Sequence, residues 1–139
     1  LLIRHPAAVI TSFAKVIPNP VLRDIGIARL YEIAATLESM GITPAVVEGN
    51  ELLKNPEQVL REVCRQMDIP FYPEMLSWPA GPKAEDGVWA PYWYAQVHQS
   101  TGFQAWKPDT TEVPPGLEPL LAEAMPYYEA LWKKAIRAT

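Results

Sequence analysis

The sequence has one cysteine, Cys64, among its 139 residues. An internal disulfide and a metal site of the Cys-x-x-Cys kind are therefore excluded, and neither His5 nor His98 has a partner at a metal-ligand spacing. No apolar run approaches the roughly 18 residues that a membrane span requires. The N-terminus lacks the basic region and the long apolar core of a signal peptide, so we expect a cytoplasmic protein.

Positive charge is also scarce in this chain. Lys and Arg number 12 against 16 Asp and Glu, which gives a formal net charge of −4. A nucleic-acid-binding protein needs a basic face, so this balance argues against a nucleic-acid partner. A net charge of −4 is still compatible with a local basic pocket for one anionic ligand. We expect small-molecule partners, and a homo-oligomer is left open.

Arg4 and Ser12 are the residues of most interest. The short apolar run at residues 1–3 is typical of a buried strand in a parallel sheet, and Pro6 fits the first position of a helix. Arg4 would then lie at the carboxyl end of a strand, with Ser12 about two turns along the next helix. Open α/β sheets bind ligands at that edge, and a guanidinium matches phosphate oxygens in a bidentate way. The pair predicts a phosphate site; a surface ion pair of Arg4 is the alternative.

This arrangement resembles the 3′-phosphate-binding motif of sulfotransferases that use 3′-phosphoadenosine 5′-phosphosulfate (PAPS). In that family a strand is followed by Arg-x-Pro and by a Ser eight residues after the Arg, which Arg4, Pro6 and Ser12 match. The family often has an Asp shortly after the Pro, where this chain has Ala7 and Ala8. The resemblance implies that Arg4 and Ser12 bind the 3′-phosphate of PAPS, or of the bisphosphate that remains after transfer.

Helix and strand signals alternate through the middle of the chain. Asn19 can cap a helix that begins at Pro20 and continues at helical spacing to Gly41, a typical helix-ending glycine. Residues 44–48 are mostly apolar and predict a second short strand. Residues 47–57 also resemble the sulfotransferase segment that follows this strand, where the matching residues are architectural.

A capping box predicts where the next helix begins, with Asn55 at the N-cap and Gln58 three residues later. The apolar stripe that follows includes Cys64, which we interpret as a small core residue and not as a nucleophile. The order of strands and helices predicts an α/β fold. The resemblance implies a P-loop-type three-layer fold with a parallel sheet. Of that fold, this chain would be a C-terminal portion with few strands and mostly helices and loops.

Proline, glycine and aromatic residues crowd residues 72–107, a loop of the length that usually covers a site. Ordinary core packing of its tryptophans is the alternative. Its end resembles the late sulfotransferase motif that closes over the 3′-phosphate. Gly102 matches, whereas Ser100 and Thr101 stand where Arg-Lys is typical, and the spacing to the closing Trp106-Lys107 is one residue shorter than in the family. The resemblance implies that Ser100, Thr101 and Gly102 help to bind the phosphate, with hydroxyl and backbone N–H groups as donors.

The C-terminal residues 117–136 have one apolar face and predict a final helix, with a kink at Pro126. Lys133, Lys134 and Arg137 would lie in its last turn, where positive charge complements the helix dipole. Their expected role is docking and solubility.

The resemblance implies that the whole protein transfers a sulfuryl group from PAPS to a hydroxyl or amine acceptor. The family's catalytic Lys and His base lie upstream of this motif, so we expect neither a catalytic residue nor a metal site in residues 1–139. The chain opens inside a strand, and we expect it to be the C-terminal part of a single sulfotransferase-like domain. Two alternatives stay open: a P-loop nucleotide kinase or related phosphotransferase, and a non-catalytic nucleotide-binding or assembly module of the same fold.

Overall fold

The computed structural model describes residues 1–108 and 111–139, with all side chains but those of Tyr92 and Trp93. In the described residues, parallel strands form one sheet in the order β1 (Leu2–Ile3), β2 (Val46–Glu48) and β3 (Ala135–Ile136). This small parallel sheet confirms the α/β class, while the P-loop features of the fold stay a prediction. The part of the predicted aromatic segment at Tyr92 and Trp93 lies outside the described side chains.

Helices form most of the remaining regular structure. Residues 72–107, which the sequence predicted to be a loop, contain a 3-10 helix, Pro73–Leu76, and two short α-helices, so that prediction holds only in part. The α-helices are α1 (Pro6–Ala14), α2 (Leu22–Ile25), α3 (Ile27–Ser39), α4 (Gly49–Lys54), α5 (Pro56–Gln66), α6 (Ala90–Trp93), α7 (Ala95–Gln99) and α8 (Glu118–Trp132).

Helix ends follow local chemistry that the sequence predicts. His5 caps α1 because its Nδ1 accepts the backbone N–H of Ala7 at 3.3 Å. Asn55 caps α5 by accepting the backbone N–H of Gln58 at 3.3 Å, and its amide donates to the Gln58 side chain at 3.1 Å. Gly41 follows α3 with a φ of 77°, as a helix-ending glycine should. The predictions for Asn55 and Gly41 are confirmed, and α1 begins at Pro6 as predicted.

The single helix predicted over residues 20–41 is wrong. Gly26, with a φ of 72°, separates α2 from α3, because a left-handed residue cannot continue a right-handed helix. The predicted cap is also wrong, since α2 begins after Val21 instead of Asn19. There the Asp24 carboxylate accepts the Val21 N–H at 2.9 Å.

The final helix predicted over residues 117–136 is too long. It ends at Trp132, and the chain then extends as β3, whose Ala135 lies opposite Val46 of β2 in parallel register. Ala135 and Ile136 are both buried. Their apolar character fits a helix face as well as a buried strand, so only the available edge of β2 decides between the two.

The basic residues at the end of the chain lie after α8, and their predicted position in its last turn is therefore wrong. Lys133 is the C-cap. Lys134 pairs with Glu38 of α3, with 2.5 Å between Nζ and Oε1. The Arg137 guanidinium lies 3.5 Å from the ring centroid of Trp132 and donates to its carbonyl at 2.9 Å. These contacts tie the last strand to neighbouring helices.

The main core lies between the sheet and helices α3 and α8. Cys64 is also buried, at 1% exposure, as predicted for a core residue. No helix in the described part of the chain is long and apolar enough to cross a membrane. The buried residues of the main cluster are Ile3, Ile27, Ala34, Val46, Ala124, Tyr128, Leu131 and Ala135.

Candidate functional site

Two pockets open at the edge of the sheet where β1 and β2 end. Arg4 and His5 follow β1, and Glu48 is the last residue of β2. The Glu48 carboxylate accepts the backbone N–H groups of Asn50 at 2.7 Å and Glu51 at 3.0 Å, and so caps α4. Because the strands are parallel, their carboxyl ends bring residues that are distant in sequence to one edge.

The Arg4 pocket has a volume of about 530 Å³. Two of its residues carry positive charge, two carry side-chain amides, and none of this set is acidic. Among the described residues, the side chains of Arg4 and Lys107 form no hydrogen bond or ion pair. Their donors are therefore open to an anion, and a phosphate group fits this donor set. The pocket is lined by Arg4, Asn50, Leu53, Gln104, Ala105, Lys107 and Pro108.

The structure thus places Arg4 at the end of a strand, as the sequence predicted. Arg4 lines one pocket with Lys107, from the segment that resembles the late sulfotransferase motif. Lys107 is the last residue of that motif, whereas Asn50 and Gln104 were not predicted. Asn50 could have been found from its position, since it lies two residues after a buried strand at the ligand-binding edge of the sheet. Gln104 carries no comparable signal, because only the folded loop brings it to Arg4.

Ser12 lies two turns along α1 and is exposed. Its hydroxyl forms no hydrogen bond with the other described residues, so it is open to a ligand. It is not one of the residues that line the Arg4 pocket. The joint action of Arg4 and Ser12 on one phosphate stays a prediction.

Ser100, Thr101 and Gly102 hold the segment around Trp78. The Ser100 hydroxyl accepts the Trp78 indole N–H at 2.9 Å and donates to the Val97 carbonyl at 2.7 Å. The Thr101 carbonyl accepts the Trp78 backbone N–H at 3.0 Å. These contacts give the segment an architectural role, and its predicted role toward a phosphate stays untested by them.

Gly102 has a packing reason of its own to be glycine. It forms an isolated antiparallel bridge with Ser77. A Cβ at position 102 would lie 3.1 Å from the Leu76 carbonyl oxygen, which is tighter than ordinary packing. The close approach of two backbone segments therefore accounts for this glycine without a ligand.

A second pocket lies beside the first and shares Asn50 with it. We call it the carboxylate pocket; its volume is about 250 Å³. The sequence predicted only an architectural role for residues 47–57, so this pocket was missed. A glutamate at the very end of an apolar strand was the available signal. The lining residues are His5, Glu48, Asn50, Glu51, Lys54, Trp106, Thr111, Tyr128 and Trp132.

Glu51 is a buried carboxylate with both oxygens bound. Oε1 lies 2.7 Å from Lys54 Nζ, and Oε2 accepts the backbone N–H of Ala138 at 2.8 Å. Burial by itself would raise the pKa of Glu51, but these hydrogen bonds and the charges of Lys54 and Arg137 lower the pKa below its ordinary 4.5. Glu51 therefore stays ionised and ties α4 to the chain beyond β3.

Tyr128 forms one wall of the carboxylate pocket. Its ring meets His5 edge-on at 5.1 Å and stacks on Trp132 at 6.2 Å. Burial, together with the charges of Glu48 and Glu51, raises the pKa of Tyr128 to about 12, although Arg137 opposes this. The hydroxyl is thus protonated at neutral pH, and it forms no hydrogen bond with the other described residues.

Within residues 1–108 and 111–139, no group of three or more His, Cys, Asp and Glu side chains could hold a metal ion. The ionisable residues at the sheet edge instead form one cationic pocket and one pocket with two carboxylates. The chemistry that this arrangement supports is the binding of charged organic groups.

Comparison with known proteins gives a family match over almost the whole chain. A family model described as a sulfotransferase domain matches residues 1–135. Branched-chain-amino-acid aminotransferase-like proteins 1 and 2 of Arabidopsis thaliana are 44% and 39% identical to it over 131 residues. Each match covers 94% of this chain but only 23% of the relative. No solved structure gives a significant match.

Proposed function

Because the chain belongs to the sulfotransferase domain family, we propose that it forms the 3′-phosphate-binding part of a PAPS-dependent sulfotransferase. The whole protein would transfer a sulfuryl group to a hydroxyl or amine acceptor. The observation that carries this proposal is the Arg4 pocket at the carboxyl edge of β1, which is lined by two cations that have no ion pair within the part of the chain that the structure describes.

The donor set of that pocket fits the 3′-phosphate. Arg4 offers a planar fork of N–H groups, and Lys107 adds a second positive charge that can neutralise a phosphate dianion. Asn50 and Gln104 can each donate an amide N–H. None of the described residues that line the pocket is acidic, so a bound phosphate would meet no repulsion from them.

PAPS, when bound, supplies the activated sulfuryl group. Residues of this chain would hold the nucleotide by its 3′-phosphate and so fix its position. Positioning of this kind is a large part of what a protein contributes to a group transfer. We assign no catalytic residue within residues 1–139.

Nucleotide binding to the full-length protein tests the proposal. Arg4→Ala removes charge-assisted hydrogen bonds worth roughly 1.5–3 kcal/mol. Calorimetric titration should therefore show a loss of affinity for adenosine 3′,5′-bisphosphate of about ten- to a hundredfold. Ser12→Ala removes one neutral donor and should reduce the affinity less, by about fivefold.

Two controls make the result specific. Adenosine 5′-phosphate has no 3′-phosphate, so its affinity should not change in either variant. Arg23→Ala removes another arginine, which does not line the Arg4 pocket, and should leave both affinities unchanged. Equal weakening toward both nucleotides in Arg4→Ala would place Arg4 outside the 3′-phosphate site.

A further inference from the structure

We propose that the carboxylate pocket binds a small primary ammonium compound. Glu48 would serve as its counterion and the Tyr128 hydroxyl as its second hydrogen-bond partner. The inference is independent of the proposed function, because it uses neither Arg4 nor Lys107. It rests on an unpaired buried carboxylate, an open tyrosine hydroxyl and the aromatic walls of the pocket.

Glu48 is buried, at 1% exposure, yet it has no ion pair among the described residues. One oxygen, Oε2, accepts both backbone N–H groups at the start of α4. The other, Oε1, has only a long contact of 3.4 Å with the Asn50 amide. Glu51, by contrast, already has Lys54. A buried carboxylate without a cation is unfavourable, so the pocket favours a positively charged ligand at Glu48 Oε1.

The Tyr128 hydroxyl supplies the second partner. Tyr128 is only 8% exposed, and its side chain lines the pocket. No polar side-chain atom among the described residues is both sealed from solvent and without a partner. The hydroxyl is therefore not sealed in the core, and the carboxylate pocket is the space that Tyr128 lines. A primary ammonium has three N–H donors, of which one can go to Glu48, one to Tyr128 and the third to water.

The aromatic walls of the pocket fit the alkyl part of such a ligand. Lys54 Nζ already lies 5.3 Å from the ring centroid of Trp106, and the Arg137 guanidinium lies over Trp132. The protein's own cations thus already occupy these two aromatic faces. The rings can also contact the alkyl part of an amine. A volume of about 250 Å³ restricts the ligand to a small molecule.

Anions and metal ions fit less well. Glu51 is offset by Lys54, but Glu48 has no ion pair among the described residues and would repel an anion. Within the described residues, no group of three metal-ligating side chains includes Glu48 and Glu51. An organic ammonium needs only the two hydrogen-bond partners that the pocket offers.

The test is to titrate the full-length protein with butylammonium chloride and to measure binding at each step by saturation-transfer NMR. We expect binding to the wild type at or below about 10 mM, a weak but measurable affinity. Tyr128→Phe keeps the ring and removes the hydroxyl, and should weaken binding about fivefold. Glu48→Gln keeps a cap for α4 but removes the charge, and should weaken binding about tenfold or more. Thermal unfolding of each variant checks that it is folded.

Matched controls decide the outcome. Tyr127→Phe makes the same change one residue earlier, where the ring meets Tyr31 and not the pocket, and should bind as the wild type does. Butanol and butyrate, which lack the ammonium, should not bind. The proposal is overturned if butylammonium does not bind the wild type, if butanol or butyrate bind equally well, or if Tyr128→Phe binds as tightly as Tyr127→Phe. The last comparison holds even if Glu48→Gln fails to fold.

Discussion

Glu51 shows how one side chain can link two distant parts of this fold. Its two oxygens bind Lys54, one turn along α4, and the backbone of Ala138, beyond β3. The link needs a carboxylate, since an ionised group can accept both hydrogen bonds and also attract Lys54 and Arg137. Glu48, the other buried glutamate, instead accepts two backbone N–H groups at the start of α4 through one oxygen. The two acidic residues of the pocket are therefore not equivalent.

Glu51→Gln should lower the free energy of unfolding by roughly 1–3 kcal/mol near neutral pH, because an amide cannot replace the charge that holds Lys54. The folded pKa of Glu51 lies below the 4.5 expected for the unfolded chain. Its stabilising effect is therefore complete above that value and is lost as the pH falls through the folded pKa. The cost of Glu51→Gln should therefore be constant from about pH 7 down to 4.5 and should shrink as the pH falls below 4.5.

Urea unfolding of the full-length protein at several pH values measures this effect. Glu123→Gln, a change at an exposed position of α8, is the matched control and should have little effect at any pH. A cost for Glu51→Gln that is independent of pH would show that the charge of Glu51 is not what stabilises the fold.

At the scale of secondary structure, the sequence predicts features that depend on neighbouring residues, but it does not predict which strands pair. The start of α1, the cap of α5 and the strand that becomes β2 follow from proline, capping residues and short apolar runs within a few positions. β3 could not be predicted, because two apolar residues acquire strand structure only through β2, which lies far earlier in the sequence. The break between α2 and α3 was also missed, since a glycine inside a helical pattern is often tolerated.

Gly26→Ala tests the cause of that break. The φ of 72° is unfavourable for alanine, whereas a Cβ would meet nothing within 4 Å, so backbone strain is the only expected cost. We expect a loss of stability of about 1–2 kcal/mol. Gly87→Ala is the matched control, because that glycine has open space and no left-handed φ. Thermal unfolding should separate the two variants, and equal midpoints would mean that α2 and α3 can rejoin without strain.

At the scale of the whole molecule, the candidate site depends on parts of the chain that only the fold brings together. Arg4 follows β1, Asn50 is the second residue of α4, and Lys107 ends a long segment with little regular structure. The sequence predicts Arg4 because strand, turn and proline lie within six residues. It cannot predict that Gln104 lines one pocket with Arg4, or that Tyr128 of α8 lines another with Glu48, because these placements depend on tertiary packing.

The Arg4 pocket is a cationic site on a chain of net charge −4, and this contrast predicts a salt dependence. Arg4 and Lys107 attract a phosphate at short range, while the negative charge of the rest of the chain opposes the approach of an anion. Salt screens both effects, over a distance of about 10 Å at 0.1 M and about 3 Å at 1 M. If the short-range attraction dominates, affinity for adenosine 3′,5′-bisphosphate should fall about fivefold between about 0.05 M and about 0.5 M salt.

Removing the two cations should leave the repulsion by the net negative charge larger than the local attraction to the phosphate. In the double variant Arg4→Ala with Lys107→Ala, only the general repulsion is left, so the remaining affinity should be unchanged or should rise slightly with salt. Arg23→Ala, which removes one charge outside the pocket, should keep the salt dependence of the wild type. Calorimetry across the salt series measures all three proteins. Suppose instead that the double variant and the wild type lose affinity equally as salt increases. The attraction that salt weakens would then persist without Arg4 and Lys107. In that case the cations that bind the phosphate lie outside the Arg4 pocket.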